Sequence, residues 1–415
     1  TPLDGGCSLL LGSDAGANAA EIKRFSKRDV SGFAAFLDSA EALGAELWAH
    51  FDDDVPSLSK LSDETHALID KPVAEYVERF VETPVLQATL ATDGLIGTYA
   101  GPRDRGTTYV LGHHYAGRVL GRQGAWGFVR GGMGALSNAV AVAARAAGAE
   151  IVAGANVTAI VRDGVRMRVE TAAGTQYTAR TVLSNADPRT TFLKLCAQDA
   201  LDGTFRDRVR TWNSEGAQFK VNLALGALPN FTARPGSQLQ PHHKATIHIA
   251  PDVDYLQRAH DDARESGASR APMLECFMQT PTDPSLAPPG KHILSIFAQY
   301  YPYATVSRWT PEEKNAAANG IVKLLERYAS NLPNIIEDRE LLSAADVESR
   351  IGMAGGQIFH GELLPGQIFE DRFDVRTPLT GLYLCGSGTH PGGCVTGVPG
   401  RRAARAVIAD LKVPV

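Results

Sequence analysis

The chain has 415 residues, of which 44% are hydrophobic and 21% charged, with a formal net charge of −5. Such a length allows two or three domains, and such a composition belongs to an ordinary globular protein rather than a disordered chain. The negative balance, with no run of Lys and Arg, excludes a nucleic-acid surface.

No apolar stretch is long enough to span a membrane. The nearest, the Ala-rich run near 135–155, is interrupted by Asn138, Arg145 and Glu150. The opening residues show no signal-peptide pattern. The five cysteines, Cys7, Cys196, Cys276, Cys385 and Cys394, are scattered, and none forms C-x-x-C. This odd set points to a reducing compartment, the cytoplasm, and removes dithiol redox chemistry and a zinc ribbon.

Residues 1–95 read as mainly helical. "RDVSGFAAFLDSAEALGAELWAHF" spaces Phe33, Phe36, Leu37 and Leu43 at helical intervals, and "KPVAEYVERFV" does the same with Val73, Tyr76, Val77 and Phe80. "GAWGFVRGGMGALSNAVAVAARAAGAEI", residues 126–151, reads as a glycine loop feeding a helix that Gly148 ends. Three strands are expected next, in "EIVAGANVTAIV", "VRMRVET" and "QYTARTVLSNA", with Gly164 and Gly174 in the turns. Further strands are expected at 218–228, 244–250, 272–280 and 291–301, and a helix near 311–331 with Ile321, Leu324, Leu325 and Tyr328 on one side.

"GLYLCGSGTHPGGCVTGVPGRRAARAVIADL", residues 381–411, joins a short apolar strand to a helix through a glycine-rich loop. Pro399 suits the helix's first turn, and Ala403, Val407, Ile408 and Leu411 can share one face. Several glycines before a helix N-terminus make a seat for an anion or an electron-rich ring. "RGGMGALSNAV" is a second loop-to-helix element of the same kind.

Those two motifs, with "TVLSNADPRTTFLKL" and "SIFAQYYPY", resemble the phytoene-desaturase-like flavoproteins of the amine-oxidase superfamily, over nearly the whole chain. The resemblance implies a mixed α/β fold. An FAD-binding Rossmann-like domain would comprise 126–190 and 350–415. A substrate domain built on a mainly antiparallel sheet would hold 191–349, with 1–125 as its helical cap.

The resemblance also implies an FAD cofactor. Gly386, Ser387 and Gly388 would lie along its ribityl–pyrophosphate part. Gly393, Cys394, Val395 and Thr396 would pass under the isoalloxazine ring, and Val157 would meet the adenine. Gly131, Gly132 and Gly134 would start a helix beside the cofactor. Where many relatives have Gly-Asp, this chain has Gly386–Ser387. Nothing in residues 1–40 matches the family's opening G-x-G-x-x-G, so the first βαβ unit and its pyrophosphate cradle are expected to be missing. FAD binding by this chain alone is therefore expected to be weak.

For chemistry, Lys220 in "AQFKVNLALGALP" resembles the lysine that reaches the flavin N5 through a water. Equally, it reads as a surface lysine at a strand end. His114 is the second candidate, with His113, His360 and His390 beside it, although a lone histidine is more often structural. No histidine pair has zinc-site spacing, so no metal is expected. The implied activity is FAD-dependent hydride removal from an apolar polyene or an amine. Contact with a membrane surface would suit an apolar substrate. The rival class is a flavoprotein-derived regulatory or interaction protein with little turnover.

Overall fold

The computed structural model describes residues 1–412. The fold is mixed α/β. Its centre is a five-stranded antiparallel sheet, in the order Ile336–Ser343, Gln218–Leu225, His292–Gln299, Met273–Phe277, Ile247–Ile249. Alternation sets its two faces. Phe219, Val221, Leu223, Leu225, Leu294, Ile296, Leu274 and Cys276 turn inward and pack on Ala318, Ile321 and Leu325 of the helix Pro311–Glu326. Full burial of each large side chain contributes about 1.5–3 kcal/mol. The helix starts sharply because the Thr310 hydroxyl accepts from the Glu313 N–H while the Glu313 carboxylate accepts from the Thr310 N–H.

The N-terminal part is helical, as its periodicity predicts. The long helix Arg28–Phe51 buries Phe36, Ala40, Leu43, Leu47 and Phe51. Its first turn is tied down by the buried Asp29 carboxylate, which accepts from the backbone N–H groups of Glu82 and Thr83. The core of this helical part includes Ala250, Leu256 and Met273, so it is continuous with the sheet side.

Two expected strands need correcting, and two features were not foreseen. "EIVAGANVTAIV" becomes a strand only over Val157–Asp163. "QYTARTVLSNA" is two strands in two sheets. Gln176–Ala179 joins Arg166–Thr171 antiparallel, while Val182–Ser184 runs parallel to Leu382–Leu384. The strand Ile336–Ser343 was not foreseen. It lies at the sheet edge with an irregularity between Ile336 and Asp338, and its charged residues hide the alternation. The C-terminal helix Val398–Leu411 buries Val398, Pro399, Arg402, Ala403 and Ala406, whereas Ile408 is exposed. Arg402 is held inward by the carbonyls of Asp53 and His390.

The helix Gly132–Ala146 forms as expected, yet none of its residues is buried. Met133, Val140 and Val142 stand exposed, as do Trp126 and Phe128 before it.

Candidate active site

The parallel strands Val182–Ser184 and Leu382–Leu384 lead to the C-terminal glycine loop. Its glycines fall into two groups. A Cβ on Gly386 would lie 2.7 Å from the Asn185 carbonyl oxygen, one on Gly388 would lie 2.5 Å from the Pro188 ring, and one on Gly393 would lie 2.5 Å from the Phe359 ring. For these three, packing within the protein is reason enough for glycine. Gly397 instead has open space where a Cβ would stand, as does Gly134 in the helix Gly132–Ala146.

Cys394, Val395 and Gly397 all have positive φ, at 70°, 56° and 70°. For the two non-glycines this backbone costs about 1 kcal/mol or more each. Among the described residues, the backbone N–H groups of Cys394, Val395, Thr396 and Gly397 have no acceptor. Val395 is 72% exposed, so the loop reaches the surface there. The Thr396 hydroxyl accepts from the Val398 N–H and so caps the helix that follows. Cys394 packs beneath, against the Phe359 cluster, and burial pushes its thiol up to about 12. The loop therefore fits an electron-rich edge or an anion, with a helix N-terminus behind it.

Ser387 is positioned through its carbonyl, which accepts from Arg372 Nε at 3.0 Å and Nη2 at 2.7 Å. Arg372 is buried and also donates to the carbonyls of Glu362 and Gln367. Burial lowers its guanidinium to about 10. Its neighbour Glu362 is also buried, and desolvation raises that carboxyl to about 7, although Thr98, Tyr99 and Gln357 donate to it.

At the other helix start, Gly131 and Gly132 have φ of 81° and 77°, and the Gly131 N–H donates to the Asp283 carboxylate at 2.6 Å. A protein carboxylate thus already sits at that N-terminus. Val157 is half-buried at the start of its strand and packs against the cluster containing Leu382 and Leu384.

The second face of the five-stranded sheet mixes polar and apolar side chains. Register places Leu342, Lys220, Phe297, Glu275 and His248 in one row across it. Lys220 is half-buried, lies 5.6 Å from the Phe277 ring centre and makes no hydrogen bond, and burial lowers its ammonium pKa. It stands on the face opposite Phe219 and Val221. His114 is 6% exposed. Its Nδ1 is 2.8 Å from the Val110 carbonyl, and its ring stacks on Trp126 and lies 6.4 Å from Phe359. Phe359 in turn touches Gly393, so His114 and the C-terminal loop share one neighbourhood. His113 and His390 are buried, and desolvation lowers both to about 3. His360 is buried, and its carbonyl accepts from the Trp212 ring N–H.

Sequence reasoning did not single out Glu275 and His248, whose carboxylate and ring Nε2 lie 3.5 Å apart. The two strand residues carried a signal, since each is a lone polar residue alternating with apolar ones in "MLECF" and "TIHIA". Two open grooves of about 550 and 670 Å³ lie elsewhere, beside Trp212, and hold none of the residues singled out from sequence.

Known proteins place this geometry. The family model for flavin containing amine oxidoreductase matches residues 14–201. A putrescine oxidase redesigned at its cofactor site shares the fold, with a TM-score of 0.54 and 14% identity over 92% of this chain and 76% of that one. A phytoene desaturase (lycopene-forming) of Pseudescherichia vulneris is 28% identical over 99% of this chain and 81% of its own length. The fold is that of a flavin-dependent oxidoreductase of the amine-oxidase superfamily. Pyridine nucleotide-disulfide oxidoreductase domain-containing protein 2 of Mus musculus is 36% identical over 98% of this chain and 77% of its own length. The chain belongs to that protein's family.

Proposed function

We propose that the protein binds FAD without a covalent bond and removes hydride from a C–H bond of a small molecule, an amine or an apolar polyene. The observation that carries this reading is the C-terminal loop, where the Cys394–Gly397 N–H groups lack acceptors at a helix start. When bound, FAD accepts the hydride. The loop's donors would face the N1–C2=O edge, where negative charge gathers on reduction, so they stabilise the reduced form. Ser387 with Gly386 and Gly388 would follow the ribityl chain, Val157 the adenine, and Gly131, Gly132 and Gly134 the helix beside it.

We place the FAD domain in 126–190 with 350–415, and the substrate domain in 191–349 with 1–125 as its cap. The parallel pairing of Val182–Ser184 with Leu382–Leu384 and the sheet within 218–343 support that division. The unpaired cysteines fit a cytoplasmic location. Leu120, fully exposed between Arg118 and Arg122, fits contact with a membrane surface. Among the described residues, no helix is long and apolar enough to cross a membrane.

In this reading Lys220 would hold a water toward the flavin N5. Lys220→Met should keep the fold and the flavin, yet slow reoxidation by dioxygen about 10²-fold, the usual cost of losing one preorganised charge. Stopped-flow reoxidation of photoreduced protein measures this without knowledge of the substrate. Equal rates would remove Lys220 from that role and favour a quinone as the electron acceptor.

A further inference from the structure

The larger of the two grooves beside Trp212 has the build of a binding site. Its volume of about 670 Å³ lies inside the usual range for small-molecule pockets. One wall is locked by backbone pairing. Glu215 pairs antiparallel with Gly356, and the Gly216 N–H donates to the Gly355 carbonyl at 2.9 Å. Gly355 has φ of 64°, and a Cβ there would lie 2.1 Å from the Ser214 carbonyl oxygen. Ser214 lines the groove from this wall and is only 6% exposed, yet its hydroxyl has no hydrogen-bond partner among the described residues. A polar group so placed costs stability unless something in the groove bonds to it.

Charge decides what that something is. Arg189, Lys194, Arg210 and Arg308 line the groove against Glu215 and Glu348, in a chain of net charge −5. Both carboxylates are already engaged. Glu215 accepts from the Ala304 N–H at 3.0 Å, while Glu348 accepts from the Tyr303 hydroxyl and lies 3.9 Å from the Lys194 ammonium. Arg210 pairs with Asp207 at 2.8 Å. Arg189 is half-buried, and its Nη1 donates to the carbonyls of Arg210 and Trp212, both at 3.3 Å. Neither Arg189 nor the exposed Arg308 has a carboxylate partner among the described residues. Two guanidinium groups are thus left without a counter-ion, one fixed by backbone and one free to swing. Each presents a fork of N–H donors that suits an oxyanion. A dianion answers both charges, whereas a carboxylate answers one. The groove is larger than a bare phosphate, and Leu193, Ala304 and Ala354 add apolar lining for an organic body.

We propose that this groove binds a small phosphate monoester, with the phosphoryl group among Arg189, Arg308 and Ser214 and the organic body along Leu193 and Ala304. The site goes beyond the oxidoreductase reading and does not rest on it, since none of these residues belongs to the flavin loops.

Isothermal titration calorimetry of the purified protein with hexyl phosphate, hexanoate and 1-hexanol tests it. Hexyl phosphate should bind about tenfold or more tighter than hexanoate, and 1-hexanol more weakly still. Added salt should weaken the phosphate binding. Arg189→Gln should cost about tenfold and Ser214→Ala about threefold. Arg308→Gln, at an exposed position, should cost about fivefold and leave the thermal midpoint unchanged, so it decides the matter even if Arg189→Gln unfolds. Phosphatidate vesicles that sediment the wild type but not Arg308→Gln would assign the ester to a lipid headgroup. Hexyl phosphate binding without vesicle binding would assign it to a soluble molecule, and both results support the site. Equal binding of hexyl phosphate and hexanoate, affinity that survives Arg308→Gln, or displacement of hexyl phosphate by FAD would overturn the proposal.

Discussion

The five-stranded sheet and the helix Gly132–Ala146 are both written in strongly apolar sequence, yet they end in opposite states. Val221 and Ile296 of the sheet are wholly buried, while Val140 and Val142 of the helix are 64% and 63% exposed. The sheet's inward face has the helix Pro311–Glu326 to cover it. The other helix has no comparable cover among the described residues. A hydrophobic pattern specifies an element, but something else must supply the surface that covers it. An exposed apolar stripe of this kind marks a face that meets a partner or a ligand.

The sharpest way to break this comparison is a pair of truncations read by urea unfolding. Ile296→Ala should cost about 2–5 kcal/mol, because it leaves a cavity in a closed core. Val140→Ala should stay within about 0.5 kcal/mol. Similar losses at both positions would mean that the helix is covered after all.

A second effect of nearly that size belongs to pH. The Glu362 carboxyl stands at about 7 in the folded protein against a reference of 4.5, so folding favours its protonated form. Its stabilising contribution is complete below pH 4.5 and is lost as pH rises through about 7. At about 1.4 kcal/mol per pH unit, this loss comes to about 3 kcal/mol. Glu362→Gln should remove it. Wild type should therefore lose stability relative to that variant between pH 4.5 and 8, and parallel curves would contradict the buried-acid account.

The glycines divide along the same line, with smaller effects. Gly393→Val should destabilise by about 1–3 kcal/mol or more, because the added methyls meet the Phe359 ring. Loss of flavin in that variant would be ambiguous. Gly134→Val adds its methyls into open space, so it should keep the fold while lowering flavin content. Unchanged flavin there would move the cofactor away from that helix.

Much of this architecture was legible because it rests on local periodicity. The strands Gln218–Leu225 and His292–Gln299 announce themselves by alternation, and Arg28–Phe51 by its helical spacing. Lys220 was legible for the same reason, as a charge placed on a strand. What stayed hidden depends on distant partners. The break between Ala179 and Val182 follows from two competing sheets, and a parallel partner some two hundred residues away leaves no local mark. The edge strand Ile336–Ser343 carries too many charges to show a period. The glycines of the C-terminal loop were read as room for a ligand, whereas Gly386, Gly388 and Gly393 make room for Asn185, Pro188 and Phe359.

The central claim is that the open donors of the Cys394–Gly397 loop, rather than a covalent bond, hold FAD. Acid precipitation of the purified protein tests it most directly. The account predicts a yellow supernatant whose flavin is FAD by mass, in about one copy per chain. A colourless supernatant, or flavin that stays with the pellet, would contradict it.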